Sequence, residues 1–338
     1  MIATKAPSLD AIRQAQKKLD SYILKTPVVP WIGKVIDRVL SEDTELIAKL
    51  ELMQYAGSFK VRGALLVMMN LSEEERRHGV VAVSAGNHAI AVAYAAEKLG
   101  VSAKVVMPKN VSKVRIEKCR SRGAEVVLAE DLKAAFAKVE ELQKAENRAF
   151  VHPFEGENTF LGTATLGLEF VEQVEEPLDA VIVGVGGGGL AAGIAPAIKQ
   201  LLPNCLVYGV EPDGADSISR SIEAGSPQIL EKVDTIADSL GAPYALPESF
   251  SLCEQYLDQV VRVSDQDICE AMAYLFYDLK LAVEPAAAAA CAGLFGPLRD
   301  RLIGKQIGVV LCGSSIDASS FITYLERAKG AYMKHLTA

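Results

Sequence analysis

Val80-Val81-Ala82-Val83-Ser84-Ala85-Gly86-Asn87-His88 is the stretch that decides how this 338-residue chain reads. Four apolar residues in a row, broken at once by a small polar turn, read as a short buried strand that runs into a helix start. The pattern repeats outward along the chain. Ala103-Lys104-Val105-Val106-Met107, Glu125-Val126-Val127-Leu128 and Ala149-Phe150-Val151 are further short apolar runs. Between them lie helical segments that end before Gly100, near Gly123, and over about 132–144. Four strands separated by three helices predict a parallel sheet with right-handed crossovers. A second set follows: a helix near 160–174, then Ala180 to Val183, Leu206 to Val210, Val260 to Val263 and Ile307 to Leu311.

The expected fold class is therefore α/β, with two open twisted-sheet units. Residues 80–152 form the small domain, and 1–79 with 153–338 the large one. The N-terminal segment goes with the larger unit because its own strand needs a partner sheet. In that segment Ser8 can cap a helix whose Leu9, Ile12 and Leu19 share a face. Residues 45–52 alternate, Leu46, Ala48, Leu50 and Leu52 against Lys49 and Glu51. This predicts an antiparallel or edge strand with one wet face. The Ala-rich tract 286–290 reads as a tightly packed helix.

Half of the residues are hydrophobic and 23% are charged, which fits a globular chain and excludes extensive disorder. The net charge of -8 argues against a nucleic-acid surface. One basic cluster, Lys109, Lys113, Arg115, Lys118, Arg120 and Arg122, reads as a solvated helix face. No uncharged run of eighteen apolar residues exists, so no membrane-spanning helix is expected. Met1 to Lys5 lack the apolar core of a signal peptide. The six cysteines form no CxxC pair and the four histidines show no ligand spacing. This argues against a zinc cage or a disulfide framework, and a reducing cytoplasm is the expected compartment.

Three motifs carry chemistry. Gly184-Val185-Gly186-Gly187-Gly188-Gly189 follows a strand and opens a helix. It satisfies G-x-G-x-x-G, and Glu211 ends the next strand where a ribose-binding acid would stand, so an NAD-dependent oxidoreductase is one reading. Four consecutive glycines also suit a loop whose backbone N–H groups surround one terminal phosphate. Gly57-Ser58-Phe59-Lys60-Val61-Arg62-Gly63-Ala64 places Lys60 at a helix start. The helix dipole and burial there both favour a neutral amine, the form that attacks an aldehyde. An ordinary surface lysine is the plain alternative. The turn Ser84-Ala85-Gly86-Asn87-His88 offers a hydroxyl, an amide and backbone N–H groups to a carboxylate, or is simply a capped helix start.

Taken together, G-S-F-K-x-R-G-A, S-A-G-N-H-A and G-G-G-G-L-A-A-G resemble the fold-type II pyridoxal-phosphate enzymes. The branch is that of the serine/threonine dehydratases and serine racemases, and the likeness runs from about residue 5 to 325. It implies a pyridoxal 5'-phosphate cofactor held as a Schiff base by Lys60, which also takes the Cα proton. It implies that Phe59 packs near the ring, that Asn87 bonds the phenolic oxygen, and that Gly186, Gly187, Gly188, Gly189 and Leu190 wrap the phosphate. Cys312 would face the ring nitrogen. Ser84, Ala85, Asn87 and His88 would line the site for a small amino-acid substrate, with His88 fixing the turn. The implied activity is a lyase (ammonia-lyase) converting L-threonine or L-serine to a 2-oxo acid and ammonia by α,β-elimination. A 3-hydroxyaspartate dehydratase and a serine racemase are the alternatives on this fold. A homodimer is the implied assembly.

The chain departs from that pattern in places. Ala85 replaces the second serine of racemases, which favours elimination. Ser239, Ala286 and Ser315 replace a glycine, a serine or threonine, and an asparagine, and Phe154-Glu155-Gly156-Glu157-Asn158 is unusual. A divalent site for Mg2+ or Ca2+ found in relatives would use Glu211 and the Ala215 carbonyl, with Glu211 holding local structure as the alternative. The chain ends without room for the regulatory domain of biosynthetic threonine deaminases, so isoleucine feedback is not expected.

Overall fold

The computed structural model describes residues 4–328 and 330–337. Met1 to Ala3, read above for a leader, lie outside the described residues. The chain forms a mixed α/β structure with two sheets. One has six strands: β1 (Val28–Pro30), β2 (Glu45–Lys49), β7 (Ala180–Gly184), β8 (Leu206–Pro212), β9 (Gln259–Val263) and β10 (Gln306–Val310), in the order β1-β2-β10-β7-β8-β9. The other has four: β3 (Val80–Val83), β4 (Ala103–Pro108), β5 (Glu125–Ala129) and β6 (Ala149–Phe150), in the order β5-β4-β3-β6. Every pairing is parallel except β1 with β2. Strands β3 and β7 are buried at every position, which is why they read as continuous apolar runs.

The helices follow the signals in the sequence. Ser8 caps Leu9–Leu19, its hydroxyl accepting from the Ala11 N–H, and Ile12, Ala15 and Leu19 face inward. Pro285 opens the buried helix Pro285–Phe295, which carries the alanine tract. The helices Lys60–Met69 and Glu157–Gln173 cross closely. A Cβ on Gly162 would lie 2.6 Å from the Gly63 Cα, so position 162 admits no side chain. Ala85-Gly86 and the glycine run lie at the carboxyl ends of β3 and β7, where parallel sheets open their ligand crevices.

At residues 45–52 the expected antiparallel pairing is present, with β1, but the edge position and the wet face are not. Strand β2 is interior, held between β1 and β10, and Glu51 leaves it in a single 3-10 turn. Lys49 and Glu51 are completely buried. Lys49 Nζ meets Glu169 at 2.5 Å and the Thr26 carbonyl at 2.8 Å. Arg62 grips Glu51 with two bonds, at 2.9 and 2.8 Å, and reaches Glu169 at 2.9 Å. Two cations and two carboxylates thus neutralise one another beneath Lys60–Met69. Their alternation with Leu46 and Leu50 marks a buried ionic layer, because a paired charge can be buried where a lone one cannot.

The basic cluster is also only partly a wet face. Lys109, Arg120 and Arg122 pair with Glu130, Glu117 and Glu97 near the surface. Arg115 turns inward to the crevice between the sheets.

Candidate active site

A cavity of about 220 Å³ lies between the two sheets. Lys60, Phe59, Ser84, Ala85, Asn87, His88, Leu190, Cys312 and the four glycines 186–189 all line it. Residues read from four separate stretches of sequence are thereby brought to one place.

Lys60 is the first residue of its helix, and Phe59 at the N-cap makes no side-chain cap. A short bridge between Ser58 and Gly313 ties this corner to the segment after β10. The Lys60 amine donates to the Pro153 carbonyl at 2.5 Å and lies 5.0 Å from the Phe59 ring centroid. Burial pushes it down to about 8, with Cys312 and Glu284 pulling the other way. A neutral amine is therefore accessible near neutral pH.

The glycine loop runs from the end of β7 into the helix Ala191–Leu201. Gly188 has φ +88°, a conformation that favours glycine. A Cβ on Gly187 would strike the Phe154 ring at 2.5 Å, and one on Gly186 the Leu240 Cα at 2.9 Å. Only bare backbone fits, set at a helix N-terminus as an anion requires.

Ser84 Oγ accepts from the Gly86 N–H at 3.0 Å, holding the turn. Asn87 opens the helix Asn87–Leu99, and its Nδ2 donates to Glu284 Oε1 at 2.7 Å and Ser239 Oγ at 3.3 Å. Its Oδ1 is buried without a partner. His88 Nε2 bonds the Val151 carbonyl at 2.8 Å. Burial, then the Lys60 charge, pushes that ring down to about 3, so it is neutral and fixed in place. The Cys312 thiol is pushed up by burial and then by Glu284, so it faces the cavity uncharged.

These features fit pyridoxal phosphate: a near-neutral amine for an aldehyde, a side-chain-free loop for a phosphate, and an unpartnered polar atom at the cavity wall. They do not fit a dinucleotide. Glu211 is fully buried, and its two oxygens accept from the Ile218 and Ser219 N–H groups at 2.8 Å each. Nothing is left for a ribose. The same bonds give Glu211 the structural role read as its alternative, and nothing at Glu211 and Ala215 supports the Mg2+ or Ca2+ reading. Glu211 caps the helix Ser217–Ala224, and burial raises its carboxyl to about 7. The neighbouring Asp216 is paired with Arg220 and Arg262. Among the described residues no group of three His, Cys, Asp or Glu side chains could hold a metal ion.

Sequence reading missed part of the wall. Leu132 and Phe136 from the helix Leu132–Glu146, Phe154, Pro243 and Tyr244 also line the cavity. Tyr244 lies 6.1 Å from the Phe154 ring and 6.5 Å from the Phe136 ring, centroid to centroid. These aromatics come from three unrelated segments, so no periodicity marks them. Only Phe154 stood in a stretch that looked unusual.

Comparison with known proteins agrees with this geometry. The family described as "Pyridoxal-phosphate dependent enzyme" matches residues 20–313. The chain is 48% identical to a phenylserine dehydratase of Ralstonia pickettii, over 95% of this chain and 97% of that one. It is 35% identical to an L-threonine ammonia-lyase of Thermotoga maritima, over 92% and 76% respectively. The structure of maize serine racemase superposes with a TM-score of 0.88 at 31% identity, covering 99% of this chain and 100% of that one.

Proposed function

The chain belongs to the pyridoxal-phosphate dependent enzymes, and from that premise we propose that it dehydrates a 3-hydroxy amino acid bearing an aryl group, such as 3-phenylserine, to a 2-oxo acid and ammonia. That it is a lyase of the ammonia-releasing type follows from its relatives. The substrate is the proposed part. The aromatic wall of Phe136, Phe154 and Tyr244 carries it, since a phenyl ring gains from apolar and edge-to-face contact there. Threonine and serine, expected from the sequence, carry too little apolar surface to use that wall and are assigned as weaker substrates. A 3-hydroxyaspartate would bring a second carboxylate against Leu132, Phe136 and Pro243, which offer it no cation.

Bound pyridoxal phosphate supplies an electron sink that acidifies the substrate's Cα–H. Lys60 would hold it covalently and, once displaced by the substrate amine, receive the Cα proton, a role its lowered basicity suits. The loop Gly186–Gly189 with Leu190 would hold its phosphate, Phe59 its ring, and Cys312 would face the ring nitrogen without charge. Ser84 and the turn through Ala85, Asn87 and His88 would seat the substrate carboxylate. Ala85 carries no proton to return, which favours elimination over racemisation. In the overall reaction the Cα–H and Cβ–O bonds break, water leaves, and the released enamine hydrolyses.

Residues 80–152 are proposed as a small domain facing the rest across this cavity, and the active form as a cytoplasmic homodimer. The test of the substrate is 2-oxo acid release from phenylserine, threonine, serine and 3-hydroxyaspartate. The highest kcat/KM is expected with phenylserine. A higher value with any of the other three overturns the assignment.

A further inference from the structure

Glu284 sits in the wall of this cavity, yet no step above uses it. It is 1% exposed, and no cation lies within ion-pair distance among the described residues. Such a carboxylate is costly to bury, so its retention calls for a cause. It occupies the N-cap of Pro285–Phe295 but caps nothing with its side chain. Pro285, which has no N–H, follows it, and the next orphan donors, on Ala287 and Ala288, bond the Glu284 backbone carbonyl. The side chain is thereby free to turn outward. Oε1 accepts from Asn87 Nδ2 at 2.7 Å, and Oε2 from the Ser315 N–H at 2.9 Å.

The space for this pair is kept by a third residue. A Cβ on Gly313 would come within 2.6 Å of Glu284 Oε1 and 3.0 Å of Asn87 Nδ2. Any side chain at 313 would push between them. The contact also spans the cavity, since Asn87 follows β3 of the four-stranded sheet and Glu284 belongs to the six-stranded unit.

An asparagine amide can turn end for end, and its neighbours decide which way it stands. Both Glu284 oxygens accept, Oε1 from Asn87 Nδ2 and Oε2 from the Ser315 N–H, which is the bonding of the ionised form, and that form selects Nδ2. That choice fixes where Oδ1, buried and unpartnered, and the second N–H must point. We propose that Glu284 is a positioning residue that acts through Asn87, locking its amide in the single orientation presented to the cofactor ring. The proposal rests on the cavity's being the pyridoxal-phosphate site and is independent of which substrate the enzyme takes.

The experiment uses holoenzyme without substrate, so a wrong substrate assignment leaves it unaffected. Glu284→Gln replaces an acceptor by a group that both donates and accepts, and the amide loses its fixed orientation. The visible absorption band of the Lys60 Schiff base should shift or split, and pyridoxal phosphate should bind roughly ten- to a hundredfold more weakly, the worth of one hydrogen bond to a charged group. Gly313→Ala, with Glu284 intact, should move the band in the same way. Glu284→Asp, which keeps the carboxylate, should restore the single band in part. Should Glu284→Gln fail to fold, the Gly313→Ala and Glu284→Asp spectra decide. A wild-type band and wild-type cofactor affinity in the folded variants overturn the proposal, as does a loss of affinity with the band unmoved, which would mark a purely structural role.

Discussion

Replacing Tyr244 with alanine separates an aryl-selective pocket from one that merely accommodates small amino acids. The Tyr244 ring is flanked by Phe154 and Phe136 at 6.1 and 6.5 Å, so it is the middle of the aromatic wall. It is only half-buried, and its backbone is bridged to Ile229, so the fold has little to lose. Burying a whole phenyl group is worth about 1.5–3 kcal/mol. Tyr244 supplies one of three rings, so its removal should cost about 1 kcal/mol of that, or roughly fivefold in kcat/KM. The loss should fall on phenylserine alone and leave threonine unchanged, because threonine does not reach the wall. Tyr244→Phe should behave as the parent. The assay is steady-state release of 2-oxo acid from each substrate. An equal loss on both substrates would mean that Tyr244 shapes the site generally, and the reasoning from the wall would be wrong.

Two further outcomes follow from the charges. Uptake of pyridoxal phosphate by apo-protein should quicken as pH rises and level off above about 8, because only the neutral Lys60 amine attacks the aldehyde and burial has brought it down from 10.5; stopped-flow absorbance would show a midpoint near 10.5 if the lysine were unperturbed. Arg62→Met should destabilise the apo-protein by about 3–5 kcal/mol in urea unfolding, since it strands Glu51 and leaves Glu169 with Lys49 alone. A loss below about 1 kcal/mol, the range of exposed ion pairs, would show that water reaches that layer.

The parts of the fold legible in the sequence are those where burial is complete on both faces. Val80–Val83 and Ala180–Val183 are apolar at each position because helices cover the sheet on either side, and their boundaries read correctly to within a residue. The strand at Lys49 misread because its rule, that charge points to water, fails when opposite charges are brought together by distant segments. Glu169 lies 120 residues from Lys49, and nothing local announces it. The site divides in the same way. Lys60, Asn87 and the glycine run carry their chemistry in contiguous motifs. Arg115 was hidden in a run of basic residues, and only the fold shows it binding Asp238 and the carbonyls of Ala85 and Ser315. Ser239 and Ser315 stood out as departures from a pattern, but their meaning, as neighbours of Asn87 and Glu284, needed three dimensions. Glu211 shows the converse: a residue placed in sequence for a ribose or a metal is completely buried and accepts two backbone N–H groups, the structural role read as its alternative.

The account stands or falls on the covalent role of Lys60. Reducing the holoenzyme with borohydride, digesting it and weighing the peptides locates the attachment directly. The account predicts a pyridoxyl group on the peptide containing Lys60 and on no other lysine. A group carried by a different lysine, or none after full loading with the cofactor, would contradict it.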